Sequence, residues 1–245
     1  MNDPIKTHYE TLLAKCYSRA MGGFEARAAD NAAFFQRHGI APGSSGRAAD
    51  LGAGSGFQTV PLARAGFSVT AVDFSDTLLE ELRERARGLD VSAAQGDIRQ
   101  AAALVPAPLE LAVCMGDTLS HLAGPRELGT FFASVRGMLE DGGRFILSYR
   151  NQETALTGAD RFLPVCSGDD LLFTCALEYG EEHITACDLV WFRDGTAWRF
   201  EKSCYRKTRL RRPEVDALLV RAGFSVEFEE TVRGMVFVIA RKNAS

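Results

Sequence analysis

Three glycines at alternate positions, Gly52, Gly54 and Gly56, follow the short run Ala48, Ala49, Asp50 and Leu51, and the next apolar run closes on Val72, Asp73 and Phe74. Residues without a Cβ let a strand turn sharply into a helix and let a ligand come close to the backbone. The backbone between Leu51 and Phe57 then becomes a binding surface at a helix N-terminus. An acid ending the following strand can accept hydrogen bonds from both hydroxyls of a ribose, and Asp73 stands at that point. The spacing is not that of the dinucleotide fingerprint, whose third glycine would fall on Phe57. Asp50 would also repel a pyrophosphate, whereas it can hold an ammonium group directly or through a water. The motif predicts a ligand that carries positive charge.

The 245 residues suffice for one α/β domain, or one domain with an embellishment, around a sizeable core. A net charge of −4 supplies no overall attraction for nucleic acid or an anionic membrane and favours a small-molecule partner. The opening residues Met1, Asn2, Asp3, Pro4, Ile5 and Lys6 lack the features of a signal peptide, and no run reaches the roughly 20 apolar residues that span a bilayer. A cytoplasmic protein with no membrane partner is expected. Cys16, Cys114, Cys166, Cys175, Cys187 and Cys204 include no CxxC pair and read as reduced core residues. His8, His38, His121 and His183 form no ligand pattern with them, so no metal is expected.

Along the chain, residues 7–38 show helical periodicity in Tyr9, Leu12, Leu13, Cys16 and Tyr17, then in Ala28, Ala32 and Phe35. Residues 1–46 are therefore expected to form a helical cover over the glycine turn. Strands are expected at 48–51, 67–72, 91–95, 109–115 and 143–148, alternating with helices near Pro61, over 78–86 and over 126–139, as a parallel sheet requires. Ser75, Asp76 and Thr77 cap the second of these helices, with Thr77 and Glu80 spaced as a capping box. A helix from Pro213 to Gly223 precedes a hairpin of strands 226–231 and 235–241. The interval 154–210 differs, with strand-like stretches at 171–179, 184–192 and 198–210 separated by turn signals at Gly180 and at Asp194 and Gly195. It predicts an antiparallel insertion at the carboxyl ends of the parallel strands, where open α/β sheets bind ligands. The expected fold is a Rossmann-like, doubly wound, seven-stranded and mostly parallel sheet from residues 1–153 and 211–245, with 154–210 as a substrate lid.

With these elements in order, the chain resembles the class I S-adenosylmethionine-dependent methyltransferases, most specifically in Asp50, Leu51, Gly52, Ala53, Gly54, Ser55 and Gly56. The resemblance implies S-adenosylmethionine as cofactor and S-adenosylhomocysteine as its product. It implies that Gly52, Gly54 and Gly56 line the methionine part, with Asp50 towards the ammonium end, Asp73 at the ribose and Phe74 by the adenine. Gly96, Asp97 and Ile98 resemble the adenine-binding turn, in which Asp97 accepts from the exocyclic amine and Ile98 covers a ring face. The segment from Cys114 to Leu122 matches the loop after the fourth strand, implying that Met115 and Gly116 border the sulfonium and that Asp117 faces the transferred methyl. Within the family, residues 147–151 and the insertion resemble the glycine and sarcosine N-methyltransferase branch, which implies Arg150 as a clamp for a substrate carboxylate. Asp117 stands where that branch tends to carry an amide, so glycine itself is not implied.

The reaction implied is in-line displacement by a substrate nucleophile, for which the protein aligns reactants and excludes water. Asp117 can accept a hydrogen bond from an attacking amine, and His121 can act as a base for a hydroxyl. Tyr205 can cover the substrate, and Arg27 can reach the cofactor carboxylate. Each also has a structural alternative: a turn cap, a packed histidine, a core tyrosine or a helix-surface arginine. Arg199, Lys202, Arg206, Lys207, Arg209, Arg211 and Arg212 form a basic run that alternates with apolar residues as a solvated strand face does. The expected function is methyl transfer to a small molecule, such as an amine bearing a carboxylate. An RNA methyltransferase using the basic run and a cofactor-binding module without catalysis stand as alternatives. Homo-oligomerisation is left open.

Overall fold

Short β-branched and alanine-rich runs broken by helical periodicity give, in the computed structural model, a chain of alternating elements that is described over residues 4–244. Met1, Asn2 and Asp3, which carried part of the case against a signal peptide and open the expected 1–153 span, lie outside the described residues, as does Ser245. The chain begins with α1 (Pro4–Thr11), α2 (Tyr17–Ala20) and α3 (Phe24–Arg37). Then follow β1 (Arg47–Leu51), α4 (Thr59–Arg64), β2 (Ser68–Asp73), α5 (Asp76–Arg85), β3 (Val91–Gln95), α6 (Ala101–Leu104), β4 (Leu109–Cys114), α7 (Gly124–Met138) and β5 (Leu139–Arg150). The insertion supplies β6 (Phe162–Ser167), β7 (Leu171–Tyr179), β8 (His183–Asp194) and β9 (Ala197–Thr208), and the chain ends with α8 (Arg212–Arg221), β10 (Phe224–Val232) and β11 (Met235–Lys242).

The strands form a seven-stranded sheet in the order β10-β11-β5-β4-β1-β2-β3. All pairings are parallel except those of the final hairpin, where β11 runs antiparallel to both β5 and β10. β1 lies between β2 and β4, so the connections leave its carboxyl end in opposite directions and open a crevice there. Apolar layers cover both faces of the sheet. Phe132 on α7 packs edge-on against Phe145, with ring centroids 5.8 Å apart, and Leu62, Phe34 and Phe35 meet Ile146 and Ile239 on the other side. At the head of α5 the cap is Ser75, whose hydroxyl accepts from Leu78 N. Thr77 lies inside that helix, because the chain is already helical from Asp76, so no capping box forms at Thr77 and Glu80.

The second sheet has the order β6-β7-β8-β9 and is antiparallel throughout. Three of its strands match the three stretches legible in the sequence. β6 is an additional edge strand, hidden by Pro164 and by a register shift between Pro164 and Cys166. Cys187 and Cys204, expected as reduced core residues, are joined in a disulfide, because they stand directly opposite each other in the β8–β9 ladder with Cα atoms 4.1 Å apart. Cys16 and Cys114 are buried free thiols. On the inward face Leu171, Phe173 and Val190 pack against Leu12, Leu13 and Ala20, so the N-terminal helices lie against the insertion as well as over the glycine turn. Among the described residues no helix is long and apolar enough to cross a membrane.

Phe132 is fully buried at the centre of the larger apolar layer. Truncation to Ala is expected to remove about 3–5 kcal/mol of unfolding free energy, measured as a lower urea midpoint at unchanged slope.

Candidate functional site

The crevice at the carboxyl end of β1 is walled by the glycine turn, the end of β2, the turn after β3 and the loop after β4. Gly52, Gly54, Asp73, Phe74, Asp97, Ile98, Gly116 and His121, all singled out in the sequence, line it, together with Tyr9, Tyr17, Leu78 and Thr118. The turn requires glycine for a steric reason. At Gly52, φ is +84° and a Cβ would fall 2.4 Å from Thr118 Cγ2. At Gly54, φ is +50° and a Cβ would press on the Tyr17 ring at 3.3 Å. The turn is thus packed between the loop after β4 and the N-terminal helices with no room for a side chain.

Asp73 holds this arrangement. Its Oδ2 accepts from Gly54 N and its Oδ1 from Ser75 N, each at 2.8 Å. Burial pushes its pKa up, and the amides of Ser75 and Gly54 counter part of that rise. One lone pair of each oxygen stays available to face the crevice. Asp97 caps the turn after β3 through Arg99 N at 2.8 Å and is ion-paired with the Arg99 guanidinium. Burial opposes its charge, but Arg99 prevails and leaves its pKa below the ordinary value.

Several expected residues sit behind the wall. Asp50 is fully buried beneath the turn, with Oδ2 accepting from the Thr59 hydroxyl at 2.6 Å and Oδ1 without a partner. Gly56 packs on Leu82, and Met115 lies in the core. Arg27, exposed on α3, donates to the Met21 carbonyl and is not among the residues that line the crevice. Asp117 has both oxygens engaged by the chain, Oδ1 by Arg150 N and Oδ2 by Lys207 Nζ, each at 2.9 Å. Burial opposes its charge, yet Lys207 and the Arg150 amide hold its carboxyl below the ordinary range.

Beside Gly116, the Tyr9 hydroxyl and His121 Nε2 are hydrogen-bonded at 3.2 Å, with Phe74 edge-on to Tyr9. Tyr205 reaches in from β9, its ring 5.8 Å from His121 and 4.4 Å from His8. Burial raises the pKa of Tyr9 and of Tyr205 well above the ordinary value, so both are neutral phenols. His8 Nε2 lies 2.9 Å from Asp188 Oδ2, a buried contact that ties α1 to β8. Arg150, at the end of β5, is close enough to Lys207 and Cys175 to act on both electrostatically. It is exposed, and among the described residues no carboxylate pairs with its guanidinium.

The basic run is mostly engaged within the chain. Arg199 pairs with Glu201, Lys207 with Asp117, Arg211 with Glu214 and Arg212 with Glu229. Arg209 donates to the carbonyls of Gln152, Gly180 and Glu153. Among the described residues no cluster of three or more His, Cys, Asp or Glu side chains is arranged to hold a metal ion.

Tyr9 and Tyr17 were visible in the sequence only as members of a helical apolar stripe, a pattern that does not separate core from crevice. Asp188 and Lys207 carried a fainter signal: each occupies the inward phase of its strand, between Ala186 and Val190 and two residues after Tyr205, where period-two alternation calls for apolar side chains.

Residues 48–143 match the family model described as a methyltransferase domain. The chain is 27% identical over 141 residues to a glycine/sarcosine N-methyltransferase of Parasynechococcus marenigrum, which is 55% of this chain and 48% of that protein. It is 31% identical over 117 residues to a ubiquinone biosynthesis O-methyltransferase of a Caulobacter species, covering 47% and 45%. The chain thus spans about half the length of the curated relatives it matches. Among solved structures, CalS10 of Micromonospora echinaspora, an amino pentose methyltransferase bound to S-adenosylmethionine, superposes with a TM-score of 0.76 at 19% identity over 94% of this chain and 97% of that one. That likeness is one of fold.

The Asp50 carboxyl is pushed up to about 7, first by burial and further by Asp73, against the hydrogen bond from Thr59. Its ordinary value is about 4, so folding favours the protonated form. The stability held by neutral Asp50 is therefore complete below about pH 4 and is lost as pH rises through about 7. Asp50→Asn, which keeps an acceptor for Thr59, is expected to gain more over the native chain at about pH 8 than at about pH 5 in paired urea titrations.

Proposed function

We propose that the chain is a class I S-adenosylmethionine-dependent methyltransferase, a reading supported by the methyltransferase-domain match over residues 48–143 and by the likeness of fold, and that it methylates an amine on a small molecule that also carries a carboxylate. The observation that carries this reading is the hydrogen-bonded Tyr9–His121 pair on the crevice wall with Gly116; Arg150, whose amide bonds to Asp117 in the loop after β4, adds a cation that no carboxylate among the described residues pairs with. The residues fit the cofactor. Asp73 retains lone pairs for two ribose hydroxyls, Phe74 and Ile98 offer apolar surfaces to a purine, and a Cβ at Gly116 would meet nothing within 4 Å. Bound S-adenosylmethionine supplies an activated methyl on a sulfonium.

The chain's own part is to orient and to remove a proton. His121 can accept the proton of an approaching amine, the Tyr9 oxygen can accept a hydrogen bond from it, and Arg150 offers the guanidinium fork that matches a carboxylate. The insertion sheet, with Tyr205 turned to the same place, serves as the lid that excludes water. Asp117 anchors the loop after β4, since its oxygens are already bonded to Lys207 and to the Arg150 amide. Similarity to an N-methyltransferase supports nitrogen as the acceptor, while an O-methyltransferase among the relatives keeps a hydroxyl as the second reading.

Calorimetric titration is expected to show S-adenosylhomocysteine binding that Asp73→Ala weakens at least about 100-fold, in line with losing a doubly hydrogen-bonded carboxylate. Against a panel of amino acids, amino sugars and catechols, turnover with carboxylate-bearing amines supports the proposal, and turnover confined to catechols sinks it in favour of oxygen. Arg150→Ala is expected to raise the acceptor KM by about 10–100-fold, with the KM for S-adenosylmethionine unchanged.

A further inference from the structure

β9 ends in two consecutive buried residues, Lys207 and Thr208, and both reach the loop that follows β4. Thr208 Oγ1 accepts from Gly124 N at 3.0 Å and donates to the Leu122 carbonyl at 2.5 Å. Lys207 Nζ donates to Asp117 Oδ2 at 2.9 Å, with side chains only 8% and 17% exposed. The two neighbours thus pin both ends of the segment that carries His121. Asp117 stands at φ 74°, a left-handed conformation that a residue with a Cβ keeps only when its surroundings hold it. Lys207 on one oxygen, Arg150 N on the other and the Ser148 carbonyl on the Asp117 amide do the holding.

The contacts close into a ring. Lys207 fixes Asp117; four residues on, His121 meets Tyr9; and His8, next to Tyr9, is bonded to Asp188 on β8, the ladder partner of β9. We infer that Lys207 is a positioning residue for methyl transfer: its ammonium, through Asp117, sets the backbone of residues 116–124, so that docking of the insertion sheet and placement of His121 are one event. This inference rests on the methyltransferase reading above. Removing the ammonium leaves the Asp117 carboxylate buried without its partner, and a buried charge in that state seeks water by shifting its backbone.

The test compares Lys207→Met, Asp117→Asn and the double variant by hydrogen exchange, S-adenosylhomocysteine titration and turnover of the best amine from the panel. In Lys207→Met, exchange across residues 116–124 is expected to rise about tenfold or more with that of β1, β2 and β4 unchanged, because the opening is local. Turnover is expected to fall about tenfold, with product affinity within about threefold of the native chain. The double variant is expected to be no slower than the slower single one, as partners in one interaction require. Unchanged exchange at 116–124, additive losses, or a loss of product affinity equal to the loss of turnover would each overturn the inference. If Lys207→Met does not fold, Asp117→Asn is expected to show the same local exchange and turnover changes, and unchanged behaviour there overturns the inference as well. If the native chain methylates no amine, the proposed reaction fails while the exchange data still decide whether Lys207 sets the loop.

Discussion

Two backbone amides, from Gly54 and Ser75, converge on the buried carboxylate of Asp73, and this small array fixes the relation between three pieces of backbone: the glycine turn, the end of β2 and the first turn of α5. With the turn held there, Gly52 abuts Thr118 and Gly54 abuts Tyr17, so the loop after β4 and the N-terminal helices take their positions from the same point. A carboxylate taken out of water is costly unless well hydrogen-bonded. The site bears that cost because the acceptor that organises the turn also presents its remaining lone pairs to the crevice. Organising the backbone and presenting a binding group are thus the same act.

The insertion answers a different demand. A crevice at a strand-order reversal is open on one side, and the insertion sheet packs against the N-terminal helices that border it. That packing is polar as well as apolar: Leu12, Leu13 and Ala20 against Phe173 and Val190 provide area, whereas His8 with Asp188 and Lys207 with Asp117 provide register. Buried pairs of this kind add little net stability. Their use is to make one docked arrangement better than its neighbours.

Much of this was legible in the sequence where period and punctuation agree. The parallel strands and the last hairpin follow from period and turn signals, the walls at Gly52 and Asp73 from a glycine spacing and a strand-end acid, and those at Phe74, Asp97 and Ile98 from the family resemblance. β6 was not legible, since Pro164 and a bulge erase its alternation. The pairing of Cys187 with Cys204 was hidden because ladder register, not sequence spacing, sets which cysteines face each other. Asp117 looked like a group for the substrate because its partner Lys207 is 90 residues away, and a salt bridge across that distance leaves no local pattern.

No strand of the seven-stranded sheet pairs with a strand of the four-stranded one, so the two share no ladder of backbone hydrogen bonds. Outside the connecting segments, where Gln152 N donates to the Leu210 carbonyl, their union is made largely by side chains. Residues 162–208 can therefore diverge, in composition or in contour, without disturbing a single rung of the sheet that bears the glycine turn. The contour of the insertion and the backbone of the glycine turn are thus separable, although both border the same crevice.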